Sequence, residues 1–121
     1  MAGLIKKILV AEGEKPMAKA LVLKLNHAGF EAKAAFNGEE AIEEMAKNDY
    51  DLLLLDMIMP RMDGFTVLKK LKEQGTKTKI VVTSNLGQEE DFNKAKELGA
   101  TDYFVKSDTS LSEIVDYIKK M

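Results

Sequence analysis

The residues in this chain with the means to do chemistry are acids, a serine and a lysine, each placed at the end of an apolar run. Asp56 follows Leu52-Leu53-Leu54-Leu55, Glu12 and Glu14 follow Ile8-Leu9-Val10-Ala11, Ser84 follows Ile80-Val81-Val82-Thr83, and Lys106 closes the stretch from Asp102. Carboxylates about 4 Å apart repel by roughly 4 kcal/mol at an effective dielectric near 20, so such a cluster wants a cation or raised pKa values. Oxygen-only ligands with waters suit Mg²⁺, which ordinarily takes one or two carboxylates plus phosphate oxygens. A hydroxyl at Ser84 and an ammonium at Lys106 can then hold two further oxygens of a phosphoryl group. Together, acid, metal, hydroxyl and lysine describe phosphoryl transfer to Asp56 as nucleophile, giving an aspartyl phosphate.

For these residues to meet, the runs before them must be neighbouring strands. Four large aliphatics leading straight into an acid are the pattern of a strand buried on both faces, as in a parallel sheet covered by helices. Five such runs alternate with five helix-like segments. Pro16 suits a first helical turn, with Met17, Leu21, Leu25 and Ala28 at helical spacing and Gly29 as the stop. Phe30 to Ala35 is a weaker strand, and Asn37 with Glu40 opens a second helix carrying Ala41, Ile42 and Met45. Phe65, Leu68 and Leu71 mark the third helix, behind the turn at Asp63-Gly64. Glu89 to Leu98 is a fourth helix with the poorest apolar stripe of the five, and Asp102 to Lys106 contains the fifth strand. Ser110 with Glu113 makes a capping box for the last helix, whose Leu111, Ile114, Val115 and Ile118 share one face. The resulting (βα)5 order predicts an α/β fold: an open, doubly wound, five-stranded parallel sheet in the flavodoxin-like strand order 2-1-3-4-5. Ligands of such sheets bind at the carboxyl ends of the strands, beside the switch point between the first and third. Glu12-Gly13-Glu14 therefore comes to lie next to Asp56.

Bulk composition narrows the function classes. At 121 residues, 45% apolar and 31% charged, the chain reads as one domain spanning 1–121. A net charge of −2, with lysines scattered rather than clustered, argues against direct nucleic-acid binding. Zero cysteines exclude disulfides, thiol catalysis and thiolate metal sites. No apolar stretch approaches a membrane span, and no signal-peptide pattern opens the chain, so a cytoplasmic protein is expected.

At these residues the chain resembles the receiver domains of two-component response regulators, the CheY-like family, over essentially its whole length. Leu54-Leu55-Asp56-Met57-Ile58-Met59-Pro60-Arg61-Met62-Asp63-Gly64 is similar to the family's phosphoacceptor signature. The resemblance implies that Asp56 is phosphorylated and that the backbone carbonyl of Ile58 binds Mg²⁺. It also implies that Ser84 is the conserved hydroxyl, Asn85 the residue gating access to the acid, Tyr103 the aromatic switch and Lys106 the invariant lysine. The implied partners are a sensor histidine kinase or phosphotransfer protein and a downstream effector protein. The implied chemistry is at most self-phosphorylation and self-dephosphorylation, not that of an enzyme, and no output domain follows in these 121 residues. Two positions depart from the pattern. Glu12 fills the first of two expected acids, but Gly13 stands at the second, where the direct metal ligand belongs. Glu14, one residue on, is the candidate to reach in, since glycine opens backbone angles closed to other residues. Ser107 replaces the usual proline after the lysine, which leaves Lys106 less firmly positioned.

Plainer readings exist for each residue: a helix N-cap for Asp56, a solvated acidic loop for Glu12 and Glu14, a surface lysine for Lys106, and a half-buried strand aromatic for Tyr103. His27 is explained by helix-terminus electrostatics, and Met57, Met59 and Met62 by adaptable packing. The alternative function is a phosphorylation-independent pseudo-receiver, a binding module made by the loss of an acid at Gly13. An Asp-nucleophile phosphatase of the haloacid dehalogenase type would want an acid where Ile58 stands. A flavin or nucleotide binder would want a Gly-rich first loop instead of an acidic one.

Overall fold

The computed structural model describes residues 5–121. Each apolar run is a strand and each amphipathic segment a helix. In chain order these are β1 Lys7–Ala11, α1 Lys15–His27, β2 Glu31–Ala35, α2 Gly38–Lys47, β3 Leu52–Leu55, α3 Gly64–Glu73, β4 Lys79–Ser84, α4 Glu89–Glu97, β5 Asp102–Val105 and α5 Leu111–Lys119. A 3₁₀ turn, Lys106–Asp108, joins the last two. All strand pairings are parallel, in the order β2-β1-β3-β4-β5. The expected topology is therefore the observed one. Phe30 lies outside β2 because its N–H closes the end of α1 on the Leu25 carbonyl, at 3.0 Å, instead of joining the sheet.

Side-chain alternation along the buried strands divides the interior into two layers. Leu9, Leu53, Leu55 and Val82 face α2, α3 and α4, meeting Ala41, Val67, Leu68, Leu71 and Ala95. Ile8, Val10, Leu52, Leu54 and Val81 face α1 and α5, meeting Leu21, Leu25, Ile114, Val115 and Ile118. β3 contributes to both layers and every one of its four residues is buried, which is why its sequence is an unbroken leucine run.

The helices begin where cap chemistry puts them. Asn37 Oδ1 accepts the Glu40 N–H at 2.8 Å, Asp63 Oδ1 accepts the Thr66 N–H at 2.8 Å, and Ser110 and Glu113 bond each other's backbone reciprocally. α4 is the exception in packing: of its residues only Ala95 is buried.

Candidate functional site

Glu12 and Asp56 leave the sheet side by side. Register pairs Ala11 with Leu55, and the Asp56 N–H donates to the Ala11 carbonyl at 3.0 Å, so the two following acids emerge on the same rim. Glu12 is 1% exposed and Asp56 5%. Two carboxylates so far from water need a positive partner. Lys106 supplies it: its Nζ donates to Glu12 Oε1 and, at 3.1 Å, to Asp56 Oδ2. The remaining oxygens take backbone N–H groups, Glu12 Oε2 from Glu14 at 3.1 Å and Asp56 Oδ1 from Ile58 at 3.2 Å. Burial raises the pKa of Glu12 above the ordinary carboxylate value; the Lys106 hydrogen bond opposes this and the Asp56 charge adds to it. Burial alone would lower Lys106, but its bond to Glu12 and the charges of both acids prevail, and its pKa is raised. Ser107 does not leave Lys106 loose: two carboxylates fix the ammonium, its side chain is 14% exposed, and residues 106–108 coil into the 3₁₀ turn.

Gly13 faces the loop behind Asp56. A Cβ built on it would lie 3.5 Å from the Ile58 carbonyl oxygen and 3.1 Å from Pro60 Cδ. A side chain at position 13 would thus point at the carbonyl expected to bind metal. Glu14 does not take over that role. Gly13 keeps ordinary backbone angles instead of the left-handed ones that could swing the next residue inward, and Glu14 becomes the exposed N-cap of α1. It gives Glu12 its N–H, not the site its carboxylate. Among the described residues no three acidic or imidazole side chains stand close enough together to hold a metal. Of the oxygens the sequence reading offered for a metal, Glu12, Asp56 and the Ile58 carbonyl remain as the candidates. Hard oxygens of this kind fit a Mg²⁺ that keeps several of its waters, with Lys106 as the competing cation.

Ser84 and Tyr103 meet at one residue, Leu86. Ser84 is fully buried, and its Oγ accepts the Leu86 N–H at 3.3 Å. Tyr103 donates its hydroxyl to the Leu86 carbonyl at 2.7 Å and sets its ring edge-on against Phe92, centroids 4.7 Å apart. The aromatic expected to turn inward is thus already tied to the loop after β4. Burial raises the Tyr103 pKa, with the Ser84 hydroxyl opposing and the charges of Asp91 and Asp56 adding. Asn85, between the two, is exposed, and His27 is exposed at the far end of α1. One feature of the rim escaped the sequence reading. Arg61 has a left-handed backbone, φ 68°, with the Met62 N–H on the Pro60 carbonyl at 2.7 Å. The loop it bends packs so tightly on α2 that a Cβ at Gly38 would come within 2.1 Å of the Met62 oxygen. A glycine directly after the cap residue Asn37 was the signal for that close approach.

Comparison with known proteins gives this arrangement a family. Residues 8–119 match the family model described as response regulator receiver domain. The transcriptional regulatory protein DltR of Streptococcus agalactiae is 36% identical over 100 residues, covering 83% of this chain and 45% of that protein. The alkaline phosphatase synthesis transcriptional regulatory protein PhoP of Bacillus subtilis is 35% identical over 101 residues, 84% of this chain and 42% of its own length. The chain spans less than half the length of these curated relatives. Among solved structures, the Francisella response regulator 1452 receiver domain superposes with a TM-score of 0.87 at 31% identity, covering 95% of this chain and 97% of that one. A two-component response regulator from Clostridium difficile gives 0.88 at 30% identity, covering 95% and 93%. With its strand order, its acid–lysine–hydroxyl rim and these relatives in agreement, the chain belongs to the response regulator receiver domain family, the signalling modules of two-component systems.

Proposed function

We propose that Asp56 accepts a phosphoryl group from the phosphohistidine of a partner kinase or phosphotransfer protein in the cytoplasm, and that the aspartyl phosphate changes the face an effector protein reads. The observation that carries this is the Lys106 ammonium shared between Glu12 and Asp56 at the carboxyl ends of the strands, beside a buried serine hydroxyl. In the transfer a carboxylate oxygen of Asp56 forms the new P–O bond as the P–N bond to the donor imidazole breaks. The leaving nitrogen keeps the electron pair of that bond. Lys106 then has a phosphoryl oxygen to pair with in place of Asp56 Oδ2. Ser84, whose Oγ now only accepts, still has its proton to donate to a second phosphoryl oxygen. Its lone pairs can keep the Leu86 N–H at the same time, so Ser84 would link the phosphoryl group to Leu86, whose carbonyl holds the Tyr103 hydroxyl. Receivers generally use Mg²⁺; here Glu12, Asp56 and the Ile58 carbonyl would hold it, and it would neutralise phosphoryl oxygens. Asp56→Asn is expected to abolish labelling by acetyl phosphate; labelling that survives removes Asp56 from the site.

A second reading is favoured by one observation, the absence of a side chain at Gly13. In it the chain is a pseudo-receiver that docks partners without phosphate. Mg²⁺ with a beryllofluoride phosphoryl mimic separates the two: specific amide shifts at Glu12, Asp56 and Lys106 support phosphorylation, and unchanged spectra support the pseudo-receiver.

A further inference from the structure

Behind Lys106, on the side of the sheet that carries α1 and α5, lies a cavity of about 190 Å³ that the proposed phosphotransfer does not use. Its walls are Met17 and Leu21 of α1, Leu111 and Ile114 of α5, Thr83 of β4, and Lys106. α5 opens only at Leu111, after the turn Lys106–Asp108, and the cavity occupies the space between that opening and α1. Thr83, a hydroxyl residue only 3% exposed directly after the aliphatic Ile80-Val81-Val82, lines it together with Thr109.

We propose that this cavity binds a small, uncharged, amphipathic molecule, a phenol or a short alcohol with a ring or branched chain, and that its occupancy tunes Lys106. Size sets the first limit. An apolar cavity of about 150 Å³ takes up benzene, whereas drug-sized ligands need roughly 300 Å³ or more, so the ligand has a single ring or its equivalent. Charge sets the second. The Lys106 ammonium is already held by Glu12 and Asp56, so an anion has to compete with two carboxylates and a cation has to approach an ammonium. Either ion would also be stripped of water against Met17, Leu21, Leu111 and Ile114. The hydroxyls of Thr83 and Thr109 give one polar group of the ligand a place to bond. A bound molecule supports the Lys106 side chain from behind and holds its ammonium on the two acids. That consequence rests on the reading of Asp56 as phosphoacceptor; the binding itself does not.

The test uses the whole protein and benzyl alcohol as probe. Titration should give saturable amide shifts at Met17, Leu21, Thr83, Lys106 and Leu111, with benzoate at least about tenfold weaker. Met17→Phe and Leu111→Phe, each placing a ring in the cavity, should abolish those shifts while the unfolding midpoint stays near that of the parent. If one of them does not fold, the other decides. Scattered or non-saturating shifts, or benzoate binding as well as the alcohol, overturn the site. Saturating alcohol should slow acetyl phosphate labelling at least twofold; an unchanged rate at saturation overturns the coupling. Absence of labelling even without the alcohol counts against the Asp56 reading and the coupling alone, and the amide titration still decides the site.

Discussion

Under the proposed function, Gly13 would set how firmly Glu12 and Asp56 share a divalent cation, which would have to displace the Lys106 ammonium. The Cβ direction at this residue leads to the Ile58 carbonyl, so an aspartate there would add a third oxygen where the donor set is short. Gly13→Asp is expected to tighten Mg²⁺ at least about tenfold, the low end for changes around a metal's coordination sphere. Gly13→Ala is the control, since its Cβ contact with Pro60 Cδ at 3.1 Å needs a shift of only a few tenths of an ångström. Equal Mg²⁺ titrations for parent and aspartate variant would mean that the site is already complete. Arg61 makes the opposite kind of demand. A non-glycine residue in the left-handed region costs roughly 1–2 kcal/mol, and its ion pair with Glu39, 3.5 Å apart on the surface, returns little of that. Arg61→Gly relieves the strain but adds freedom to the unfolded chain, worth roughly 0.5–1 kcal/mol in the other direction. The net expectation is a stability gain of roughly 0.5–1 kcal/mol in urea unfolding; a loss would place the loop's stability in the arginine contacts instead.

Among the elements, α4 is the one held from outside. With only Ala95 buried, it is fastened at its start by the Gln88 N–H on Asp91 Oδ2, 3.1 Å, and along its length by Phe92 against Tyr103 and Lys94 over the Phe65 ring. At its end Lys72 of α3 donates to the Glu97 carbonyl at 2.6 Å, a cation on the negative end of the helix. Such a contact is worth roughly 0.3–1 kcal/mol, so Lys72→Met should speed amide exchange in the last turn of α4 about two- to fivefold and leave α1 and α5 unchanged. Equal rates would show that packing at Leu98 alone holds that end. The five strands and five helices were legible because burial on two faces writes continuous apolar runs and burial on one writes helical stripes. The weak stripe of α4 was equally plain, since Glu89 to Glu97 offers little but Phe92 and Ala95 to a core. The devices that compensate were not. Gln88 is not a favoured cap type, Lys72 and Glu97 are 25 residues apart, and nothing local to Arg61 announces a positive φ. The rim residues Glu12, Asp56, Ser84 and Lys106 could be read because each ends or follows a strand, whereas Tyr103, inside β5, was singled out only by the family resemblance. Glu14 lies exposed at the start of α1, and only its N–H reaches the rim, on Glu12.

Seen as one titrating body, the molecule carries ionisable pairs at both ends of its sheet, and their signs fix how stability follows pH. At the end opposite Asp56, the buried Tyr50 donates its hydroxyl to Glu44 Oε1 at 2.7 Å, an oxygen shared with Lys33 at 3.2 Å and Asn48 at 2.7 Å. The Tyr50 bond, and then Lys33, lower the Glu44 pKa. Glu44 thus adds stability above the ordinary carboxylate value of 4.5, and that share is lost as pH falls through its folded value. Glu12, raised by burial, works against stability as pH climbs just above 4.5. On the alkaline side Tyr50 is raised, by burial first and Glu44 second, and Lys106 is raised by its two acids. For both, the folded state keeps its proton longer than the unfolded chain, so stability is full below the ordinary values of 10.0 and 10.5 and falls above them. The two contributions come from opposite ends and can be separated. Tyr50→Phe removes the phenol but leaves Lys106 on Glu12 and Asp56. Urea midpoints measured between about pH 7 and 11 should therefore fall less steeply for Tyr50→Phe than for the parent above about pH 10, while keeping the part that Lys106 supplies. Parallel curves would assign the alkaline loss to the remaining raised groups, Lys106, Tyr103 and Tyr117.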